Sequence, residues 1–267
     1  MCGKAELLDL ALRVGKKAAQ LLSARPDVLE VSTKSSDVDI VTQMDKASEA
    51  LIVSSILAER PHDGMIGEEG ADRESTSGIT WVIDPLDGTV NYFYGLPGWN
   101  VSIAAKDKDG VVVGVVVSPT IDSTWWATRG GGSFLNGKKL QCNDPVELNR
   151  TMLATGFAYE SDKRLLQIDL IGKLLPQIRD IRRIGAAAVD LSFVGSGKVD
   201  ATTCAVKIAP SAGILAGLIF LVIGLPSLAA MKSTEPPAEP KDLKEPHPVI
   251  LKNRIGTASR RIFACPS

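Results

Sequence analysis

Gly67-Glu68-Glu69-Gly70, a short polar insert, and then Trp81-Val82-Ile83-Asp84-Pro85-Leu86-Asp87-Gly88-Thr89-Val90-Asn91 form the stretch around which this chain is organised. Four carboxylates stand beside glycines and a threonine, the composition of a site for a hard cation and a phosphate. Carboxylate oxygens suit Mg²⁺ or Mn²⁺, which keep several waters and are held by a few acids together with substrate phosphates. Val82 and Ile83 read as the end of a buried strand, and Pro85 and Gly88 turn the chain there. Acids at the end of a strand, just before a turn, converge on one point. A solvated acidic loop is the plain alternative, because carboxylates beside Gly and Pro are common at surfaces.

The rest of the chain supplies layers around that turn. Leu7, Leu8, Ala11, Leu12, Val14, Ala18, Ala19, Leu21 and Leu22 recur at three- and four-residue spacing, which predicts an amphipathic helix ending near Pro26. Residues 28–34 read as extended and 34–39 as a loop. Asp45 falls just inside a second helix with Ala47, Leu51, Ile52, Ser55 and Ile56 as its inner face, closed by Arg60-Pro61. Met65-Ile66 is a short strand delivering the acids. Strand-like segments follow at Val101–Ala105, Val111–Val117 and Ser123–Thr128, and Ser133–Lys138 reads as a hairpin. Gly130-Gly131-Gly132 has neither GxGxxG spacing nor a Walker lysine, so a hairpin is its better use. Met152 opens a second unit, with a helix over 163–179, a small-residue helix over Arg182–Leu191 and a strand over Gly195–Ala201. Two helices followed by a β-rich meander favour an α+β layered fold over a βαβ nucleotide fold. The expected division is 1–145, an α+β half carrying the acids; 146–201, a shortened α/β half; and 202–267, a divergent tail.

Bulk composition narrows the function classes. The 267 residues carry a net charge of −1, with 23% charged and 45% hydrophobic residues. There is no basic footprint for nucleic acid and no polybasic membrane patch. Cys2, Cys142, Cys204 and Cys265 form no CxxC pair, so neither a zinc site nor a disulfide framework is indicated, and a reducing, cytoplasmic setting is the simpler reading. His62 and His247 are the only histidines, which disfavours a Ser-His-Asp triad. The first twelve residues carry Lys4, Glu6 and Asp9 and lack an apolar signal core.

If Glu68, Asp84 and Asp87 share metal ions, with the Leu86 carbonyl as a further oxygen, two cations about 4 Å apart bind a phosphate ester and serve both the attacking water and the leaving oxygen. Gly88 and Thr89 would open a short helix whose first N–H groups meet phosphate oxygens. Thr89 would orient the water, with Asp45 or Glu68 taking its proton. For Thr89 a simple helix cap is the other use, and for Asp45 a charge at a helix start.

These motifs closely resemble the inositol monophosphatase family: WVIDPLDGTVNY, preceded by GEEG and by the segment from Lys34 to Asp45, and followed by Gly185-Ala-Ala-Ala-Val-Asp190. The resemblance runs from about residue 5 to Ala201. It implies a layered αβαβα fold of the inositol monophosphatase and fructose-1,6-bisphosphatase type, Mg²⁺-dependent and lithium-sensitive hydrolysis of small phosphate monoesters, and a homodimer. By position it implies that Glu68, Asp84 and the Leu86 carbonyl hold one cation, and Asp84 with Asp87 a second. It further implies that Gly88 and Thr89 bind phosphate, that Thr89 with Asp45 activates water, and that Gly185, Ala186 and Ala187 lie along the substrate. Lys34 would sit near the metal loop.

The resemblance stops after Ala201. The family continues with a Trp-Asp pair that supplies a carboxylate to the second cation, and no Trp-Asp occurs beyond that point here. A frameshift would account for residues 202–267, and resequencing the gene for a single-base change that restores Trp-Asp tests it. Residues 208–231 carry no charge and are long and apolar enough to raise a transmembrane reading through 211–231. The other reading is a helix packed on an exposed sheet. The Pro-rich stretch 232–248 has the composition of a disordered segment.

Overall fold

The computed structural model describes residues 3–34, 36–143 and 146–202. The readings for the apolar run 208–231, the Pro-rich stretch and the basic end of the chain lie outside the described residues. Among the described residues no helix is long and apolar enough to cross a membrane.

Helix α1 (Lys4–Ser23) is followed by the antiparallel pair β1 (Val31–Thr33) and β2 (Ile40–Thr42), then α2 (Gln43–Glu59). A seven-stranded sheet follows. Its strands are β3 (Gly64–Gly67), β4 (Thr80–Asp87), β5 (Asn100–Asp107), β6 (Gly110–Ser118), β7 (Ser123–Thr128), β8 (Gly132–Leu135) and β9 (Lys138–Lys139), hydrogen-bonded in that order, and the short helix α3 (Thr89–Tyr94) interrupts them. The β3–β4 pair is parallel and every later pair antiparallel, so the sheet is a meander with one parallel edge. The chain continues through β10 (Met152–Ala154), α4 (Ser161–Leu174), β11 (Asp180–Arg182), α5 (Ala187–Gly195) and β12 (Ala201–Thr202). The last three strands form a parallel sheet in the order β11-β10-β12.

Alternation along β6 explains the layers. Val113, Val115 and Val117 face a core shared with Leu7, Leu10, Val14, Leu22, Ile52 and Ile56 of α1 and α2. Val116, pointing to the opposite face, packs with Trp125 against Ala186, Ala188 and Val189 of the α5 segment. The far side of α5, through Val194, then meets Ala154 of the parallel sheet. The order is helices, sheet, helix, sheet, with α4 connecting two parallel strands and burying none of its residues. These are the first four layers of the expected αβαβα order. Each Leu, Ile or Val in these cores contributes about 1.5–3 kcal/mol of transfer free energy.

Several local expectations need correction. The inner face of α2 is Met44, Asp45, Ser48, Glu49, Ile52 and Ile56, while Ala47 is exposed and Leu51 and Ser55 are half-buried. An apolar-only pattern misplaced the face because three buried polar residues on it have partners. The small-residue helix begins at Ala187 rather than Arg182, since Arg182 ends β11 and Gly185 takes a φ of 94° that no helix uses. The helix expected over 163–179 ends at Leu174, where a 3₁₀ turn containing Pro176 takes over. The strand expected from Gly195 starts only at Ala201. Strand β2, just before α2, was not anticipated.

Candidate active site at the ends of two parallel strands

Register assembles the acids. In the parallel pair, Gly67 of β3 stands opposite Ile83 of β4, so Glu68 leaves its strand beside Asp84. Between Asp84 and Asp87 the pairing with β5 advances from Ser102 to Asn100, three residues against two. This is a β-bulge at Pro85-Leu86, a place where a strand tolerates proline. Residues three apart on a regular strand point to opposite faces, and the extra residue returns Asp87 to the side of Asp84. Burial and the charges of Glu68 and Asp87 hold the Asp84 carboxyl well above its ordinary range, and Glu68 is within hydrogen-bond reach of it. Burial also raises Asp87, against three donors that favour its charge: Asn100 Nδ2 at 2.8 Å and the N–H groups of Ala187 and Ala188 at 3.1 and 2.8 Å. Asp87 thereby ties β4 to the start of α5.

Asp45 and Thr89 meet across the turn. Asp45 is 2% exposed, and its Oδ2 accepts from Thr42 N–H at 2.8 Å and Thr42 Oγ1 at 2.6 Å, a reciprocal cap on α2. Its free Oδ1 accepts from the Thr89 hydroxyl at 3.0 Å, which also lies 3.0 Å from the Leu86 carbonyl. Burial raises the Asp45 carboxyl, partly offset by the Thr42 and Thr89 donors. Gly88 precedes α3 with a φ of 85°, and a Cβ there would meet the Ala186 side chain at 3.1 Å. The Gly185–Ala187 segment therefore lies against the Gly88 turn. Asn91 fixes it by donating to the Ile184 and Pro97 carbonyls at 2.8 and 3.0 Å.

Lys34 reaches this cluster from the β1–β2 loop, donating to Glu68 at 2.9 Å and contacting Glu69 as well. Burial pulls its ammonium down, but Glu68 and Glu69 more than offset that, and the group stays above its usual range. Glu69, with its side chain only 7% exposed, is raised by burial. All the sequence-expected residues are thus gathered around one turn. Among the described residues no group of three or more acids, cysteines or histidines is drawn together as a complete metal cage. Asp87 is held by its own donors and Glu68 by Lys34. The donor set nevertheless fits Mg²⁺: hard oxygens, several buried acids with mutually unfavourable charge, and the few protein ligands such an ion needs beside water and phosphate.

Three residues here escaped the sequence reading: Asn91, Asn100 and Glu49. Glu49 follows Asp45 by one helical turn, but its burial depends on the amides of residues 69 and 71, which helical spacing does not reveal.

Comparison with known proteins agrees with this arrangement. The family model described as the inositol monophosphatase family matches residues 4–208. The Nus factor SuhB of Escherichia coli K12 is 41% identical over 199 residues, covering 73% of this chain and 74% of its own, and that of Pseudomonas aeruginosa is 37% identical over 205 residues, covering 73% and 75%. Among solved structures, an IMPase of Thermotoga maritima superposes with a TM-score of 0.74 at 29% identity, covering 82% of this chain and 84% of its own. A family model matching this much of the chain, with relatives at this identity and coverage, shows that the chain belongs to the inositol monophosphatase family.

Proposed function

We propose that this chain is a Mg²⁺-dependent phosphate monoester hydrolase with inositol 1-phosphate as its preferred substrate. Family membership supports phosphatase chemistry, and the family generally uses Mg²⁺. The observation that carries the reading is the hydrogen-bonded Thr89–Asp45 pair set beside Glu68, just after β3, and the acids of β4.

In this reading Glu68, Asp84 and the Leu86 carbonyl hold one Mg²⁺, with Mn²⁺ as a substitute, and Asp84 with Asp87 a second. When bound, the cations supply positive charge opposite the phosphate oxygens and make water more acidic. Thr89 donates a hydrogen bond to Asp45 Oδ1, so its remaining lone pairs accept from an incoming water and point it at phosphorus. Asp45, anchored at Oδ2 by Thr42, keeps Thr89 in that rotamer; as the water attacks, its proton passes either to Thr89 Oγ1 while the Thr89 proton moves on to the Asp45 carboxylate, or directly to Glu68. The Gly88 turn lets backbone approach the phosphate without a side chain in the way, and Gly185, Ala186 and Ala187 line the alcohol side with small groups. Because the second cation lacks the C-terminal carboxylate of the family, and Asp87 already serves three N–H donors, the Mg²⁺ requirement should be high.

Phosphate release from inositol 1-phosphate, fructose 1,6-bisphosphate, histidinol phosphate and 3′-phosphoadenosine phosphates, compared at saturating Mg²⁺, tests the assignment. Preference for another ester would overturn the substrate, and inertness toward all four would overturn the reaction. The curated relatives are named for a Nus factor rather than a reaction, which favours binding to a partner as the second reading. In that case an Asp84→Asn protein would retain its biological role while losing turnover.

A further inference from the structure

Glu49 sits on the inner face of α2, 5% exposed, and touches neither Thr89 nor the acids of β4 through any recorded hydrogen bond. Its two carboxylate oxygens are divided between two amides, two residues apart, in the loop that follows β3. Oε2 accepts from the Glu69 N–H at 2.9 Å and Oε1 from the Ala71 N–H at 3.2 Å. The loop so gripped is the one that carries Glu68. Gly67 supplies an independent observation of the same contact: a Cβ there would lie 2.4 Å from Glu49 Oε2 and 2.8 Å from its carboxyl carbon. Gly67 has no unusual φ, so this glycine answers the passage of the Glu49 carboxylate rather than a backbone requirement. A buried charge satisfied by two N–H donors is held far more firmly than a surface acid.

We propose that Glu49 is the positioning residue of the metal loop: by clamping the amides of Glu69 and Ala71 from the same helix that presents Asp45, it sets where the Glu68 carboxylate can stand. This rests on Glu68 being a cation ligand. Partners that orient ligands in this way change metal affinity by about 10- to 100-fold when lost.

The test uses the full chain and Mn²⁺ alone as the probe, with free ion followed by electron paramagnetic resonance. Glu49→Gln keeps the shape but turns an NH₂ toward one of the two amides. Gly67→Ala keeps Glu49 but puts a methyl group where its carboxylate passes, pushing that carboxylate off the two amides, and serves equally if the first variant does not fold. Both are expected to loosen Mn²⁺ by about 10- to 100-fold. Both should also speed hydrogen exchange at the amides of residues 69 and 71. In turnover, the half-saturating Mg²⁺ concentration should rise while kcat at saturating Mg²⁺ is retained, a split that general destabilisation does not produce. Mn²⁺ affinity unchanged in the folded variants, with Asp84→Asn abolishing it, would overturn this inference and leave the metal assignment standing. A wild-type chain that binds no Mn²⁺ would overturn both.

Discussion

Replacing Asp84 by Asn should stabilise the cation-free protein while removing its chemistry. Asp84 is 8% exposed, and burial, then Glu68, then Asp87 all oppose its charge. The bond its Oδ1 accepts from Leu86 N–H at 3.2 Å survives in an amide. Two like charges about 4 Å apart at an effective dielectric of about 20 repel by roughly 4 kcal/mol. Because the acids can share a proton, the relief is smaller, about 2 kcal/mol, or roughly 4–8 °C in Tm for a chain of this size. The sign with pH follows from the raised carboxyl. The stability contributed by its protonated form is complete at low pH and is lost as pH rises through the folded-state value, so the advantage of Asn should grow from acid toward alkaline conditions. Thermal unfolding in chelator, across pH, measures it. A Tm at neutral pH equal to or below that of the parent would refute the account of mutually repelling acids.

Three further outcomes follow from the same geometry. Thr89→Val, which keeps the branched shape and removes the hydroxyl bonded to Asp45, should lower kcat by about 10²- to 10⁴-fold with Tm little changed, read by steady-state phosphate release. Gly88→Ala forces a Cβ onto a φ of 85° and to within 3.1 Å of Ala186, and should cost about 1–2 kcal/mol in denaturant unfolding besides weakening substrate binding. Tyr92, fully buried and bonded to the Leu22 carbonyl at 2.8 Å, has its phenol pushed up to about 12; in an ultraviolet pH titration it should ionise after an ordinary tyrosine, with stability falling as pH rises from about 10 through that value.

What was legible in the sequence depended on whether one signal sufficed. Most of the face of α1 follows from spacing because every buried position on it is apolar or glycine, although Leu10 and Gly15 belong to it as well and Leu8, Leu12 and Leu21 are only half-buried. Asp84, Asp87 and Thr89 were legible because acids, a proline and a glycine occur within six residues at the end of a hydrophobic run. The face of α2 was misread because Asp45, Ser48 and Glu49 are buried by tertiary partners: Thr89 for Asp45, the Pro85 carbonyl for Ser48, and the 69–71 amides for Glu49. No periodicity encodes such partners. The bulge at Pro85-Leu86 is a property of the β4–β5 pairing, so the convergence of Asp84 and Asp87 was inferable but its mechanism was not. The start of α5 shifted to Ala187 for a similar reason, as its first amides bond to Asp87, a hundred residues earlier.

On the proposed function, Glu68, Asp84 and Asp87 make phosphate ester hydrolysis depend on a divalent cation. The decisive experiment is phosphate release from inositol 1-phosphate, titrated with Mg²⁺ in the full chain and in Asp84→Asn. Saturable activation is expected in the parent at a high Mg²⁺ concentration and none in the variant. Turnover that persists in chelator, or an Asp84→Asn protein activated like the parent, would contradict it.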